Sequence, residues 1–282
     1  MENEMRRWAI GIGVAMVGGL VGASSEDVRF RDREGNMEIT GLSSWRAKQL
    51  DDGSLSFTGT GSPFLGKWGD QGLTIRGQKI EGKAARSDKG LKLSQATVSG
   101  GVRTEWVSER SGQTRTHQLN CNSATYDLAQ QRLSLQGGVT WTTTSANSPR
   151  LMRLTGTSAT VIFQTGAGTP SNSIESGTLV GPIQIRIETE REVRADSGKT
   201  EVRKVTLTGR AGRATYSDSS RTLVLTGSIF LEGDDTVLGG TVDAAKATLR
   251  FSPQGELVEV DLEGSPGRTT LLPTPSSAGG TQ

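Results

Sequence analysis

The chain has 282 residues, with 32 lysines and arginines against 30 aspartates and glutamates, a net charge of +2 and a pI near 8.8. So even a balance, with 5% aromatic residues, argues against nucleic-acid binding, which calls for a sharper basic excess or a run of stacking aromatics. Hydrophobic residues make up 33%, and the 38 glycines bring the total close to the ~45–50% of globular domains, so the chain can bury a core. The glycine excess suits a structure with many turns and bulges.

Taken in order, the chain opens like an export signal. Arg6 and Arg7 precede an apolar, glycine-containing run over residues 8–20, and Val21-Gly22-Ala23 offers small residues for cleavage before Ser24. The run is short for a membrane span, which takes about 17–25 residues. Residues 1–23 therefore read as a cleaved signal peptide, with a retained membrane anchor as the alternative. Either one places the rest of the chain outside the cytoplasm. No cysteine follows the run, which excludes lipoprotein attachment.

Beyond residue 24 the pattern is strand, turn, strand. Leu55 and Phe57 alternate, as do Leu73 and Ile75, then Leu91 and Leu93; Gly100-Gly101 leads into Val102 and Trp106. Residues 142–150 and 166–173 read as loops. Ile183, Ile185 and Ile187 alternate cleanly after Pro182, placed at the start of a strand. Ala247, Leu249 and Phe251, a Ser-Pro-Gln-Gly turn, and Val258, Val260 and Leu262 close the series. The tail, 264–282, has the composition of a disordered segment. No amphipathic helix emerges outside the N-terminal segment.

One pattern occurs twice. Ala124-Thr125-Tyr126 is followed by Leu133, Leu135, Gly137, Val139 and Trp141; Ala214-Thr215-Tyr216 is followed by Leu223, Leu225, Gly227, Ile229 and Leu231. Every matched pair lies 90 residues apart, with no insertion between them. The apolar residues fall on alternate positions, the period of a half-buried strand, and residues 127–132 and 217–222 are polar turns. Each copy is a hairpin with one apolar face. The fold expected is all-β, a stacked or rolled sheet, either one extended unit or two, a first over 24–150 and a second over 151–263.

Reactive chemistry is sparse. The lone cysteine, Cys121, forms no intramolecular disulfide, and the lone histidine, His117, stands four residues before it with no third member to complete a nucleophilic site. Both read as structural. Asp51-Asp52 and Asp234-Asp235 adjoin Gly53 and Gly233 between strands, where they make turns. Gly59-Thr60-Gly61 lacks the helix a phosphate loop requires. The charged stretch from Arg186 to Arg213 is a solvated strand face or a basic rim for an anionic head group. No catalytic residue, metal site or cofactor is expected, and the chain does not read as an enzyme.

The repeated unit resembles the OstA-like family of periplasmic lipopolysaccharide-transport proteins, the LptA/LptC group. The resemblance is fullest over 119–141 and 204–262, where Ala214-Thr215-Tyr216 and Leu223-Val224-Leu225-Thr226-Gly227 precede the acidic turn Glu232-Gly233-Asp234-Asp235. It implies an open, twisted β-jellyroll folded like a taco, with an apolar groove for acyl chains. The groove residues it implies are Tyr126, Leu133, Leu135, Val139, Trp141, Ile183, Ile185, Ile187, Leu207, Tyr216, Leu223, Leu225, Ile229 and Leu231. The implied ligand is lipopolysaccharide or another glycolipid. The implied partners are other Lpt-type β-jellyroll proteins joined by edge-strand pairing, an inner-membrane ABC transporter and an outer-membrane barrel. The expected role is a non-enzymatic periplasmic bridge or carrier. The competing role is a structural or adhesive β-repeat protein with a dry core.

Overall fold

The computed structural model of the protein describes residues 28–31, 37–68, 73–87, 90–110, 113–145, 148–165, 170–194, 200–234, 239–253, 255–264 and 270–271. The signal or anchor expected at 1–23, and most of the 264–282 tail, lie outside the described residues.

The described residues form fourteen strands: β1 (Val28–Arg31), β2 (Met37–Gln49), β3 (Leu55–Trp68), β4 (Leu73–Ser87), β5 (Gly90–Arg110), β6 (Gln113–Asp127), β7 (Arg132–Ser145), β8 (Ser148–Thr165), β9 (Pro170–Arg194), β10 (Thr200–Ser217), β11 (Thr222–Asp234), β12 (Gly239–Phe251), β13 (Leu257–Glu263) and β14 (Thr270–Leu271). They form one antiparallel sheet in which β1 to β13 stand side by side in chain order, and β14 pairs with β12. The sheet runs unbroken across residue 150, where β7 pairs with β8. The class is all-β, as expected; among the described residues no helix is long and apolar enough to cross a membrane.

A crease crosses the sheet. Pair after pair shifts register at one level: between Ser99 and Val102 on β5, Gln136 and Val139 on β7, and Thr226 and Ile229 on β11. On β7 and β11 the inward positions flanking the shift are four apart (Leu135 and Val139, Leu225 and Ile229), whereas on β6 and β10 they are three apart (Cys121 and Ala124, Ala211 and Ala214). One strand of each hairpin thus carries an extra residue, which makes a β-bulge and bends the sheet. Gly137 and Gly138 take φ of 80° and 67° there, and Gly227 and Ser228 take 81° and 48° at the matching positions of the second copy.

The bend folds the sheet into two leaves with their apolar faces together. One leaf holds the β6–β7 and β10–β11 turns; the other holds the opposite strand ends. Trp106 on β5 meets Phe163 of β8 edge-on across the fold, with ring centroids 6.0 Å apart. Arg115 at the start of β6 donates a 3.3 Å hydrogen bond from Nη2 to the Pro253 carbonyl, 138 residues away. A single apolar cluster extends from Ile39 to Leu257 between the leaves. The outer face is polar. Arg186, Lys204, Arg210 and Arg213 of the charged stretch are exposed on it, and Glu188 bridges Arg186 and Lys204, each at 2.6 Å.

Several strand boundaries differ from expectation. The loop expected at 142–150 is mostly sheet, because β7 runs to Ser145 and β8 starts at Ser148. The loop at 166–173 is shortened, since β9 begins at Pro170. Pro182 does not start a strand. It sits within β9 beside Gly181 (φ 110°), where neither β8 nor β10 pairs with it and its missing N–H costs no ladder bond. Val258 leaves the inward row of β13 and is 52% exposed, because a register shift opposite Phe251 turns Leu257 into the core instead. The acidic turn at Asp51-Asp52 is as expected: Asp52 Oδ1 accepts from Ser54 N–H at 2.9 Å and from Ser54 Oγ at 2.6 Å.

Gly137→Ala tests the crease. A Cβ at Gly137 would lie 2.8 Å from the Asn122 Cβ in a left-handed conformation, so the substitution should destabilise the fold by about 1–3 kcal/mol. At Gly138 a Cβ would meet nothing within 4 Å, so Gly138→Asn should cost less. Denaturant midpoints for the two variants measure both effects.

Candidate functional site

The strand periodicity brings the fourteen expected groove residues to one face. Leu133, Leu135, Val139 and Trp141 on β7, Ile183, Ile185 and Ile187 on β9, Leu207 on β10, and Leu223, Leu225, Ile229 and Leu231 on β11 are all 5% exposed or less. Tyr126 and Tyr216 are half-buried at the leaf margin and pack against the same cluster. Most of the set is sealed within that cluster. Three of them, Trp141, Ile187 and Tyr216, border open space.

That space is a cleft between the leaves, with about 740 Å³ free of atoms including its mouth. One wall comes from β6 to β9 and carries Trp141, Leu151, Met152 and Ile187; the other comes from β9 to β12 and carries Ile174, Tyr216 and Phe251. Polar groups interrupt these walls: Arg115, His117, Thr143 and Ser145 on the first side, Arg221 on the second. Three buried polar atoms here have no hydrogen-bond partner, Trp141 Nε1, Ser145 Oγ and Arg221 Nε. The benzo edge of Trp141 lies over Gly177, where a Cβ would come within 2.6 Å of the ring.

Sequence reasoning missed Arg115, Thr143, Ser145, Met152, Ile174 and Arg221. For Arg221 a signal existed, because the 90-residue offset sets it opposite Gln131. Both residues end a four-residue turn with left-handed backbone, φ 52° and 47°. Their turns are closed alike, Arg221 N–H to the Asp218 carbonyl at 3.2 Å and Gln131 N–H to the Leu128 carbonyl at 3.3 Å. The tyrosines differ. Tyr126 donates to Gln131 Oε1 at 3.2 Å, whereas Tyr216 donates to Asp218 Oδ1 at 3.0 Å. Burial, then the charge of Asp127, pushes the Tyr126 phenol up to about 12.

His117 and Cys121 point inward from β6, on one face as their spacing suggested, and each is packed into the wall. The imidazole stacks on Trp106 at 4.9 Å; its Nε2 bonds Ser108 Oγ at 2.8 Å and its Nδ1 bonds Thr143 Oγ1 at 3.0 Å. Burial, aided by the Arg115 charge, lowers its pKa to about 4. The Cys121 thiol donates to the Ser123 carbonyl at 3.2 Å, and burial pushes it up to about 11, against hydrogen bonds from the Gln136 and Ser123 backbones. A neutral imidazole and a protonated thiol make a poor catalytic pair. Among the described residues, no group of three or more His, Cys, Asp or Glu side chains is placed to hold a metal ion.

Because His117 binds its proton less tightly folded than unfolded, acid favours unfolding between its two pKa values. Above pH ~6.5 both states hold it neutral; as the pH falls toward about 4, stability should drop by up to about 3 kcal/mol on this account. As the chain's one histidine, it should titrate by NMR with a midpoint near 4, and His117→Gln should flatten the stability slope between pH 6.5 and 4.

No known family profile matches the chain, and no curated protein sequence is significantly similar to it. Among solved structures, it is similar to LptH of Pseudomonas aeruginosa, described as the LptA-homologous periplasmic component of the conserved lipopolysaccharide transport device. The two are 17% identical, with a TM-score of 0.36, over 57% of this chain and 90% of that one.

Proposed function

We propose that the protein is a non-enzymatic carrier of an envelope lipid, holding acyl chains between the leaves of its creased sheet. The observation that carries this reading is the cleft: among the described residues the apolar interior opens between Met152 and Ile187 on one wall and Ile174 and Phe251 on the other. Each methylene buried there contributes about 0.8 kcal/mol, so a chain binds without any catalytic group. In this reading Trp141, Ile187 and Tyr216 face the ligand at the cleft, the other eleven residues of the sequence pattern back the groove wall, and the ligand is lipopolysaccharide or a related glycolipid in the periplasm. The two like hairpins form the matching parts of two units, 24–150 and 151–263. The margins of the sheet, β1 on one side and β13 with β14 on the other, suit strand addition by Lpt-type neighbours, and through them an inner-membrane ABC transporter and an outer-membrane barrel.

A second reading has an observation in its favour. Twelve of the fourteen residues are buried against other core side chains, as in a structural or adhesive β-repeat with a dry core. Mass spectrometry of the full chain, expressed in a lipopolysaccharide-bearing periplasm and purified without detergent, separates the two. The carrier should bring roughly one lipid per chain, and Met152→Glu, which sets a charge in the cleft wall, should deplete it. Leu225 is 0% exposed, so a carboxylate there would test folding more than binding. A folded, lipid-free protein would overturn the carrier in favour of the structural repeat.

A further inference from the structure

We propose that the cleft between β6–β9 and β9–β12 is a headgroup site, which takes the phosphate or carboxylate of an anionic amphiphile while the attached chain lies along Met152, Ile174 and Phe251. This rests on the carrier reading and specifies its ligand. The main observation is the chemistry of the unpartnered atoms. Trp141 Nε1 and Arg221 Nε are donors that never accept, and both are buried without a partner in residues that line the cleft; Trp141 as a whole is 2% exposed. A buried donor left unpaired is costly, so the group that relieves it must bring acceptor oxygens into the cleft. Ser145 Oγ, also unpartnered there, donates to such a group equally well.

Charge selects the acceptor. Arg115 and Arg221 reach the cleft from opposite leaves, and guanidinium groups favour planar or tetrahedral oxyanions. The neighbouring carboxylates are engaged elsewhere, Glu188 with Arg186 and Lys204, Asp218 with the Tyr216 phenol. His117 is neutral and its ring nitrogens face Ser108 and Thr143, so it adds no competing charge. A free anion would satisfy the donors but leave the apolar walls unused. A neutral lipid would do the reverse.

The first copy of the hairpin supplies the contrast. There the position of Arg221 holds Gln131, whose amide is engaged at both ends: Oε1 accepts from Tyr126 and Nε2 donates to the Leu128 carbonyl at 3.1 Å. The second copy keeps the turn and its backbone but exchanges a satisfied amide for a cation with a spare donor. Arg221→Gln is therefore a substitution this turn already tolerates in its sister hairpin.

Calorimetry on the purified, delipidated full chain tests the proposal with decyl phosphate, decanol and inorganic phosphate as probes. The wild type should bind decyl phosphate at least about 10-fold more tightly than decanol, as expected for hydrogen bonds to a charged group. Arg221→Gln should erase that preference and keep both the decanol affinity and the denaturation midpoint. The Trp141 indole N–H resonance should shift with decyl phosphate and not with decanol, a readout that needs no variant. Equal affinities for the two amphiphiles in the wild type, or a preference that survives in Arg221→Gln, would overturn the headgroup site and leave the carrier standing. Binding of neither would remove the carrier reading and the headgroup site together. Inorganic phosphate bound as tightly as decyl phosphate would reduce the cleft to an ion site and overturn the amphiphile.

Discussion

Everything in this fold depends on one mechanical constraint: a long meander with a single apolar face must turn that face on itself. The sheet does so at the crease, by giving alternate strands one residue more than their neighbours at the same level. The bulges concentrate bending where glycine, or Ser228 in one hairpin, takes up left-handed backbone. Twist then displaces the two leaves relative to each other, so that Trp106 of β5 faces Phe163 of β8 rather than a residue of its own strand. The cleft is a product of that displacement, formed where the inner ends of β6 to β9 lie under the turns of β10 and β12.

Much of this was legible in the chain. Period-two alternation marks the strands, the doubled hairpin marks a repeating sheet, and the acidic turn at Asp52 is where its neighbours Gly53 and Ser54 imply. What escaped was long-range or cumulative. Residues 142–150 are polar enough for a loop, yet pairing on both sides makes nearly all of them strand, because ladder bonds outweigh weak local preference. Pro182 resembles a strand start until the bulge at Gly181 gives it an unpaired slot. The cleft residues Met152, Ile174 and Arg115 are far apart in sequence, and only the stacking of the leaves brings them together. The period itself carried a hint of the crease, since Gly100-Gly101, Gly137-Gly138 and Gly227-Ser228 interrupt their strands at matching places.

The repeat is informative chiefly where it fails. Turn geometry, capping carbonyl and left-handed residue are shared by Gln131 and Arg221, so the backbone demands nothing that separates them. A difference that the framework does not require belongs to what surrounds it: in one copy a closed aromatic corner of Tyr126 against Phe163, in the other a cleft. The two side chains that chemistry would single out first, His117 and Cys121, are by contrast committed to packing, one locked between hydroxyls and the other shielded as a thiol.

Strand order equal to chain order has a consequence for assembly. Each strand's neighbours are the one before and the one after, so every pairing from β1 to β13 closes only a short turn and pays little loop entropy. A chain delivered end-first can lay down its ladder strand by strand, with no early segment waiting on a late one for its hydrogen bonds. Only the union of the leaves is non-local, as the Arg115–Pro253 bond across 138 residues shows. Secondary structure and enclosure are thereby separable: the ladder can exist before the interior is shut, and the interior can part without unzipping the ladder.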